Sequence, residues 1–275
     1  MTTNIKKIFG LTNKYIILAT PLILYSLLSN LYAAFSATGK LINILVALIL
    51  LTFMSGAFIA GWLVMIKKAL NDEYPNNPNL LIKDFVSGVG EYFLPATGGL
   101  VCTTMFSILI LVLTFVLGNH FIGDIGVTAE QISKAMESAI GLKTFLTSLS
   151  AEQIVKINQW NILILLTMFS IYFLLIFYFP AIFYKNKNPF FALLVSLKDL
   201  FSRKFFVVLV IIFAVAIGYL FMSAMSALTS QNLVLHFIIT MLSFYLMIVL
   251  TMWIFDFYNK NFVMSHLGQN IDETV

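Results

Sequence analysis

Six stretches of this chain run for more than 20 residues with almost no charge: residues 15–36, 41–66, 96–118, 160–184, 205–228 and 233–257. The first five hold no Lys, Arg, Asp or Glu, and the sixth holds only Asp256 near its end. About 20 consecutive apolar residues wound as a helix cross the hydrocarbon core of a bilayer. A charge at mid-membrane costs at least about 2.5–3.5 kcal/mol on insertion scales. Only helices and closed barrels satisfy the backbone in lipid, and runs of this length are helical. The pattern therefore predicts an all-α, polytopic membrane bundle of about six transmembrane helices, forming one integral membrane domain over residues 1–275. Composition agrees: 60% of residues are hydrophobic and 10% charged, against roughly 25% charged in soluble domains. So few charges cannot cover a water-facing surface. The single cysteine, Cys102, lies inside an apolar run, which excludes an internal disulfide framework or a cysteine-rich metal site.

Orientation follows from the basic residues. Of the 16 Lys and Arg, twelve fall on one side: Lys6, Lys7, Lys14, Lys67, Lys68, Lys83, Lys185, Lys187, Lys198, Arg203, Lys204 and Lys260. The other side holds four: Lys40, Lys134, Lys143 and Lys156. The positive-inside bias puts both termini in the cytoplasm. Trp62, Tyr92, Trp160, Tyr184, Trp253 and Tyr258 fall near run ends, where interfacial aromatics belong. A second reading makes the first run a signal peptide cleaved near residues 34–36, although its apolar core exceeds the usual 7–15 residues or so. Five spans with unchanged orientation would then remain.

The loops add amphipathic interfacial helices. After Asn188-Pro189, a helix start signal, Phe190, Leu194, Leu197 and Phe201 share one helical face, with Ala192, Ser196, Asp199 and Arg203 on another. Such a helix lies in the membrane interface, and Lys185, Lys187, Lys198, Arg203 and Lys204 are the expected contacts to anionic headgroups. Asn77-Pro78 followed by Lys83-Asp84 echoes Asn188-Pro189 followed by Lys198-Asp199. This is either a parallel internal repeat, as in some transporters, or chance similarity. Gly88, Gly90, Gly98 and Gly99 predict a looser second loop. On the opposite side, residues 119–159 carry two capping boxes, Thr128 to Gln131 and Ser150 to Gln153. They predict two short helices with Gly141 between them.

Little in the chain carries chemistry. His120, His236 and His266 lack a second histidine or cysteine at i+3 or i+4, so no zinc or di-iron motif exists by spacing; His120, His236 and Asp124 form the one candidate polar cluster. No G-x-S-x-G nucleophile motif occurs. Neither catalytic residues, metal ligands nor cofactor are expected. Small-residue pairs, Gly56 with Ala60, Ala57 with Gly61 and Ala214 with Gly218, suit close helix approach. Asn30 and Asn43 are polar within spans one and two and need partners there, either across the helical hairpin or along a polar path. Pro21 and Pro180 are expected kinks. Asp256 is expected to pair with Lys260 at i+4.

The stretch Phe179-Pro180-Ala181 through Asn188-Pro189-Phe190-Phe191-Ala192, Ser196 and Phe205-Phe206 resembles bacterial six-span membrane proteins. These are similar to the membrane domain attached to some glycerophosphodiester phosphodiesterases. The resemblance implies a bacterial inner (plasma) membrane location. It brings no match to their soluble catalytic domain, so it implies neither activity nor functional residues. The expected function is that of a non-catalytic accessory or scaffold component of the cell envelope. The alternative is a carrier or channel for an apolar or amphipathic solute or lipid. Expected partners are the bilayer with its anionic headgroups and another membrane protein; none is a nucleic acid.

Overall fold

A computed structural model describes residues 2–36, 41–136, 138–202, 205–229 and 232–264, and these are helical almost throughout, with no strand among them. Five helical stretches among the described residues are long and apolar enough to cross a bilayer: Val46–Leu70, Pro78–Phe121, Ala151–Tyr184, Phe206–Met225 and Leu233–Val263. The all-α polytopic bundle is as expected.

The first span differs from expectation. The chain begins with an amphipathic helix, α1 (Thr2–Lys14), passes through one 3-10 turn (Ile16–Leu18), and continues as α2 (Ala19–Ser36). The segments Ile5–Lys14 and Ile16–Asn30 meet at a 78° bend, so a sixth span arises only if this bent pair counts as one. Two features place the break. Pro21 cannot donate to the carbonyl of Ile17 inside the turn. The Tyr15 hydroxyl is held by the Asp72 carboxylate at 2.6 Å. Ile8, Leu11, Tyr15 and Leu18 are buried, so the N-terminal segment is part of the core.

The remaining helices are α3 (Leu41–Leu70), α4 (Lys83–Phe121), α5 (Ala129–Met136), α6 (Ala139–Ser148), α7 (Ala151–Leu175), α8 (Tyr178–Tyr184), α9 (Pro189–Leu200), α10 (Phe205–Thr229) and α11 (Leu233–Tyr258). A 3-10 turn (Pro78–Ile82) precedes α4, and a π-helical turn (Asn259–Val263) extends α11. Contacts divide the chain into two compact units: Met1–Thr103 with Leu174–Val275, and Thr104–Phe173.

In the first unit α3 is the central helix. Ala60, Trp62, Leu63, Val64, Met65 and Ile66 are buried in near succession, as in a helix surrounded on all sides. Its small face does what the spacing predicts. A Cβ on Gly56 would collide with the Thr97 side chain, and Ala60 offers its carbonyl 3.0 Å from where a Gly88 Cβ would sit. The second loop is not loose. Gly88, Gly90, Gly98 and Gly99 all lie within α4. Gly88, Gly98 and Gly99 give close approach instead: Gly98 meets Pro189, and Gly99 meets Ile182. The break between α7 and α8 falls at residues 176–177, four and three positions before Pro180, whose ring excludes the carbonyl of Ile176 from the helical ladder.

The two Asn-Pro loops fold differently. Asn188 caps α9 by accepting from Phe190 N (3.0 Å) and Phe191 N (3.5 Å), whereas Asn77 makes no side-chain cap. Their Lys-Asp steps nonetheless play matching parts. Asp84 accepts from Lys68 Nζ at 2.7 Å, and Asp199 from Lys185 Nζ at 2.7 Å. In each case the lysine ends the helix that precedes the loop.

In the second unit both capping boxes form reciprocally. Thr128 N donates to Gln131 Oε1 at 2.9 Å and Gln131 N to Thr128 Oγ1 at 3.3 Å. Ser150 and Gln153 repeat this at 2.9 and 3.2 Å. The second box opens the long helix α7 rather than a short one. Gly141 lies inside α6, where its N–H is capped by Ser138 Oγ at 2.9 Å. Trp160 Nε1 donates to the Gly123 carbonyl at 3.2 Å, fixing the turn after α4 against α7.

Candidate functional site

Acids and lysines of the first unit interlock at the loop ends of its helices. Lys14 Nζ donates to Asp72 at 2.6 Å, Lys68 to Asp84 at 2.7 Å with Glu73 at 3.4 Å, and Lys187 to Glu91 at 2.7 Å. Lys260 meets Asp256 at 2.6 Å, as the i+4 spacing predicts. The most buried knot is Asp199, whose Oδ2 accepts from both Lys185 Nζ (2.7 Å) and the buried Tyr258 hydroxyl (2.6 Å). Lys185 also lies over the Tyr258 ring at 5.4 Å. The Lys14 ammonium, helped by the Tyr15 hydroxyl, holds the Asp72 carboxyl below its ordinary pKa of 3.8. The bond to Glu91 pushes the Lys187 ammonium up. The three carboxylates most removed from water, Asp84, Asp199 and Asp256, each hold a lysine, which ties the loops to the helices they join.

Beside this frame α2, α3, α4, α8 and α11 border an open apolar cleft of about 380 Å³. Phe58, Trp62, Leu63, Pro180 and Phe255 line it, with Tyr25 at one wall. A second apolar cleft of about 270 Å³ shares Tyr25 and Phe58 in its lining. These two rings stack at 4.4 Å. The polar atoms of the lining are engaged with protein: the Tyr25 hydroxyl bonds Ser55 Oγ at 2.7 Å, and Trp62 Nε1 donates to the Leu18 carbonyl at 3.0 Å. The larger cleft falls within the roughly 300–1,000 Å³ of ligand pockets. Its lining offers apolar contact and almost no hydrogen-bonding capacity.

Of the basic residues expected at headgroups, Lys185 and Lys187 are engaged by Asp199 and Glu91, and Lys198 is exposed on α9. Arg203 and Lys204 lie outside the described residues. α9 turns its small and acidic face inward, with Ala192, Ser196 and Asp199 buried, and its aromatic face outward, with Phe190, Phe191, Leu194 and Phe201 exposed. That is the orientation of a helix whose apolar face meets lipid. Asn30 is exposed on α2, and the side chain of Asn43 lies outside the description. Tyr25 with Ser55 joins this hairpin. Asp124 accepts from Gly126 N at 3.0 Å, and His120 packs edge-on against Phe121 at 4.9 Å. His236 is exposed, and His266 lies outside the described residues. No group of three metal-ligating side chains occurs among the described residues. Sequence reasoning missed the cleft, because its lining comes from five helices and no local spacing marks it. No protein-family model matches the chain, and neither a curated protein nor a solved structure matches it.

Proposed function

We propose that this protein is a non-catalytic, multi-pass membrane protein that holds an apolar or amphipathic molecule of the lipid class in its helix-lined cleft. The observation that carries this reading is the cleft of about 380 Å³ bounded by Phe58, Trp62, Leu63 and Phe255. An open cleft of this size with apolar walls is best filled by hydrocarbon in a bilayer, since empty space forfeits dispersion contacts. The ionic frame beside it keeps the walls in place. Twelve of 16 basic residues lie on the side of the loops before α4 and α10, which supports cytoplasmic termini in an inner membrane. Reading the protein as a non-enzyme rests on spans free of acids and histidines over most of their length.

Native mass spectrometry of the gently extracted, tagged protein tests this reading. It predicts a single chain carrying a lipid-sized adduct, and loss of that adduct when Leu63→Trp fills the cleft. An adduct-free wild type, or an adduct unaffected by Leu63→Trp, refutes it. The accessory-component reading stands second on the exposed aromatic face of α9; a stoichiometric protein partner in the same spectrum, lost on Phe190→Ser with Leu194→Ser, would favour it.

A further inference from the structure

Among the described residues, every lysine that is not exposed meets a carboxylate, except one. Lys67, near the end of α3, is half-buried, and its Nζ donates to the Phe183 carbonyl at 3.0 Å while lying 5.0 Å from the centre of the Tyr184 ring. An ammonium has three donors, and the carbonyl takes one. The hydroxyl of the same Tyr184 is buried with no hydrogen-bond partner among the described residues. The carboxylates around it bond other lysines: Glu91 holds Lys187 at 2.7 Å, Asp256 holds Lys260 at 2.6 Å, and Asp84 and Glu73 share Lys68 at 2.7 and 3.4 Å. Among the described residues no carboxylate lies within 4 Å of Lys67 Nζ.

Its position relates directly to the cleft. Lys67 is one helical turn beyond Leu63 on α3, and Tyr184 is one turn beyond Pro180 on α8; Leu63 and Pro180 both line the cleft. Phe255, another lining residue, lies 5.9 Å from the Tyr184 ring. The Lys67 ammonium and the Tyr184 ring therefore pack together one turn beyond residues that line an apolar space. A half-buried charge without a partner is costly, and a charge-assisted bond to an anionic oxygen relieves it.

We propose that the cleft takes an acyl chain of an anionic bilayer lipid whose headgroup oxygen accepts from Lys67 Nζ and Tyr184 Oη. This rests on the lipid-holding reading of the cleft and adds the sign of the headgroup. The occupant is a membrane lipid because the donors lie at the end of a span, where the headgroups of a bilayer begin.

The test uses Trp62, which lines the cleft, as reporter. The full chain with Trp160→Phe and Trp253→Phe is placed in bilayer nanodiscs containing brominated-chain phosphatidylglycerol or brominated-chain phosphatidylcholine at equal mole fractions. The anionic lipid is expected to quench Trp62 with an apparent affinity about fivefold higher, the factor for the roughly 1 kcal/mol that one basic residue gains at an anionic leaflet. Lys67→Gln, which keeps a donor for the Phe183 carbonyl, abolishes this preference and leaves quenching by the neutral lipid unchanged. Lys67→Arg retains the preference, and Tyr184→Phe weakens it. Equal quenching by the two lipids in the parent protein, or a preference that survives Lys67→Gln, overturns the headgroup assignment while the cleft reading stands. Quenching by neither lipid beyond that of a Trp253-only protein overturns the cleft reading itself.

Discussion

Replacing Asp199 with alanine probes the most buried knot of the ionic frame. Its Oδ2 is the shared acceptor of Lys185 Nζ and Tyr258 Oη, and the Tyr258 residue is 0% exposed. Without the carboxylate, the Tyr258 hydroxyl is left with no acceptor, a loss of about 1–3 kcal/mol. Breaking a buried ion pair by removing one partner costs about 3–5 kcal/mol. The side chain of Lys185 is 21% exposed and reaches water, which reduces that second cost. The expected destabilisation for Asp199→Ala is therefore about 3 kcal/mol, below the sum of the two effects. Asp199→Asn still accepts from Tyr258 and should lose about half as much, roughly 1–2 kcal/mol. Equilibrium unfolding in mixed micelles by sodium dodecyl sulfate measures both. A cycle with Tyr258→Phe should return a coupling of about 1–2 kcal/mol, as expected for groups in one network. A value for Asp199→Ala within about 0.5 kcal/mol of the parent, the range of ordinary surface changes, would refute the reasoning.

Three further outcomes follow from the same geometry. Gly56→Val drives a side chain into Thr97 on α4 and should destabilise by about 1–3 kcal/mol in the same titration, whereas Gly90→Ala, with open space around it, should not destabilise. Ser150→Ala removes the acceptor for Gln153 N and should raise hydrogen exchange in the first turn of α7 by about fivefold, for a cap worth about 1 kcal/mol. The Lys14–Asp72 contact has a defined pH window. The Asp72 carboxyl titrates lower when folded than its ordinary 3.8, so its stabilisation is complete above that value and is lost as pH falls through the lower, folded value. Asp72→Asn should therefore narrow the difference in unfolding midpoint between pH 6 and pH 3; an unchanged difference would contradict this.

What the sequence disclosed was local. The capping boxes at Thr128 and Ser150, the Asp256–Lys260 pair and the small face of Gly56 and Ala60 each depend on neighbours within four positions along one helix. Helical geometry alone fixes those. The bend at Tyr15 was hidden, since its hydroxyl answers to Asp72, 57 positions away. The apolar spacing of Ile8, Leu11 and Tyr15 could have revealed α1 as a packed helix. Glycines near residue 90 read as loop formers, because the backbones and side chains that crowd Gly88 and Gly98 come from other helices. The basic loop residues read as free headgroup contacts for the same reason: Lys187 finds Glu91 96 positions away. The two faces of α9 were legible, but which one turns inward was set by Lys185 and Tyr258 reaching Asp199. The cleft left no local trace, as its walls converge only in the folded unit.

The most direct test of the central claim is photo-crosslinking in the native membrane with a lipid carrying a diazirine at mid-chain, followed by peptide mapping. The account predicts labels on cleft residues such as Phe58, Leu63 and Phe255, and their loss on Leu63→Trp. Labels confined to outward-facing positions such as Leu109 and Phe213, with the cleft residues unmodified, would contradict it.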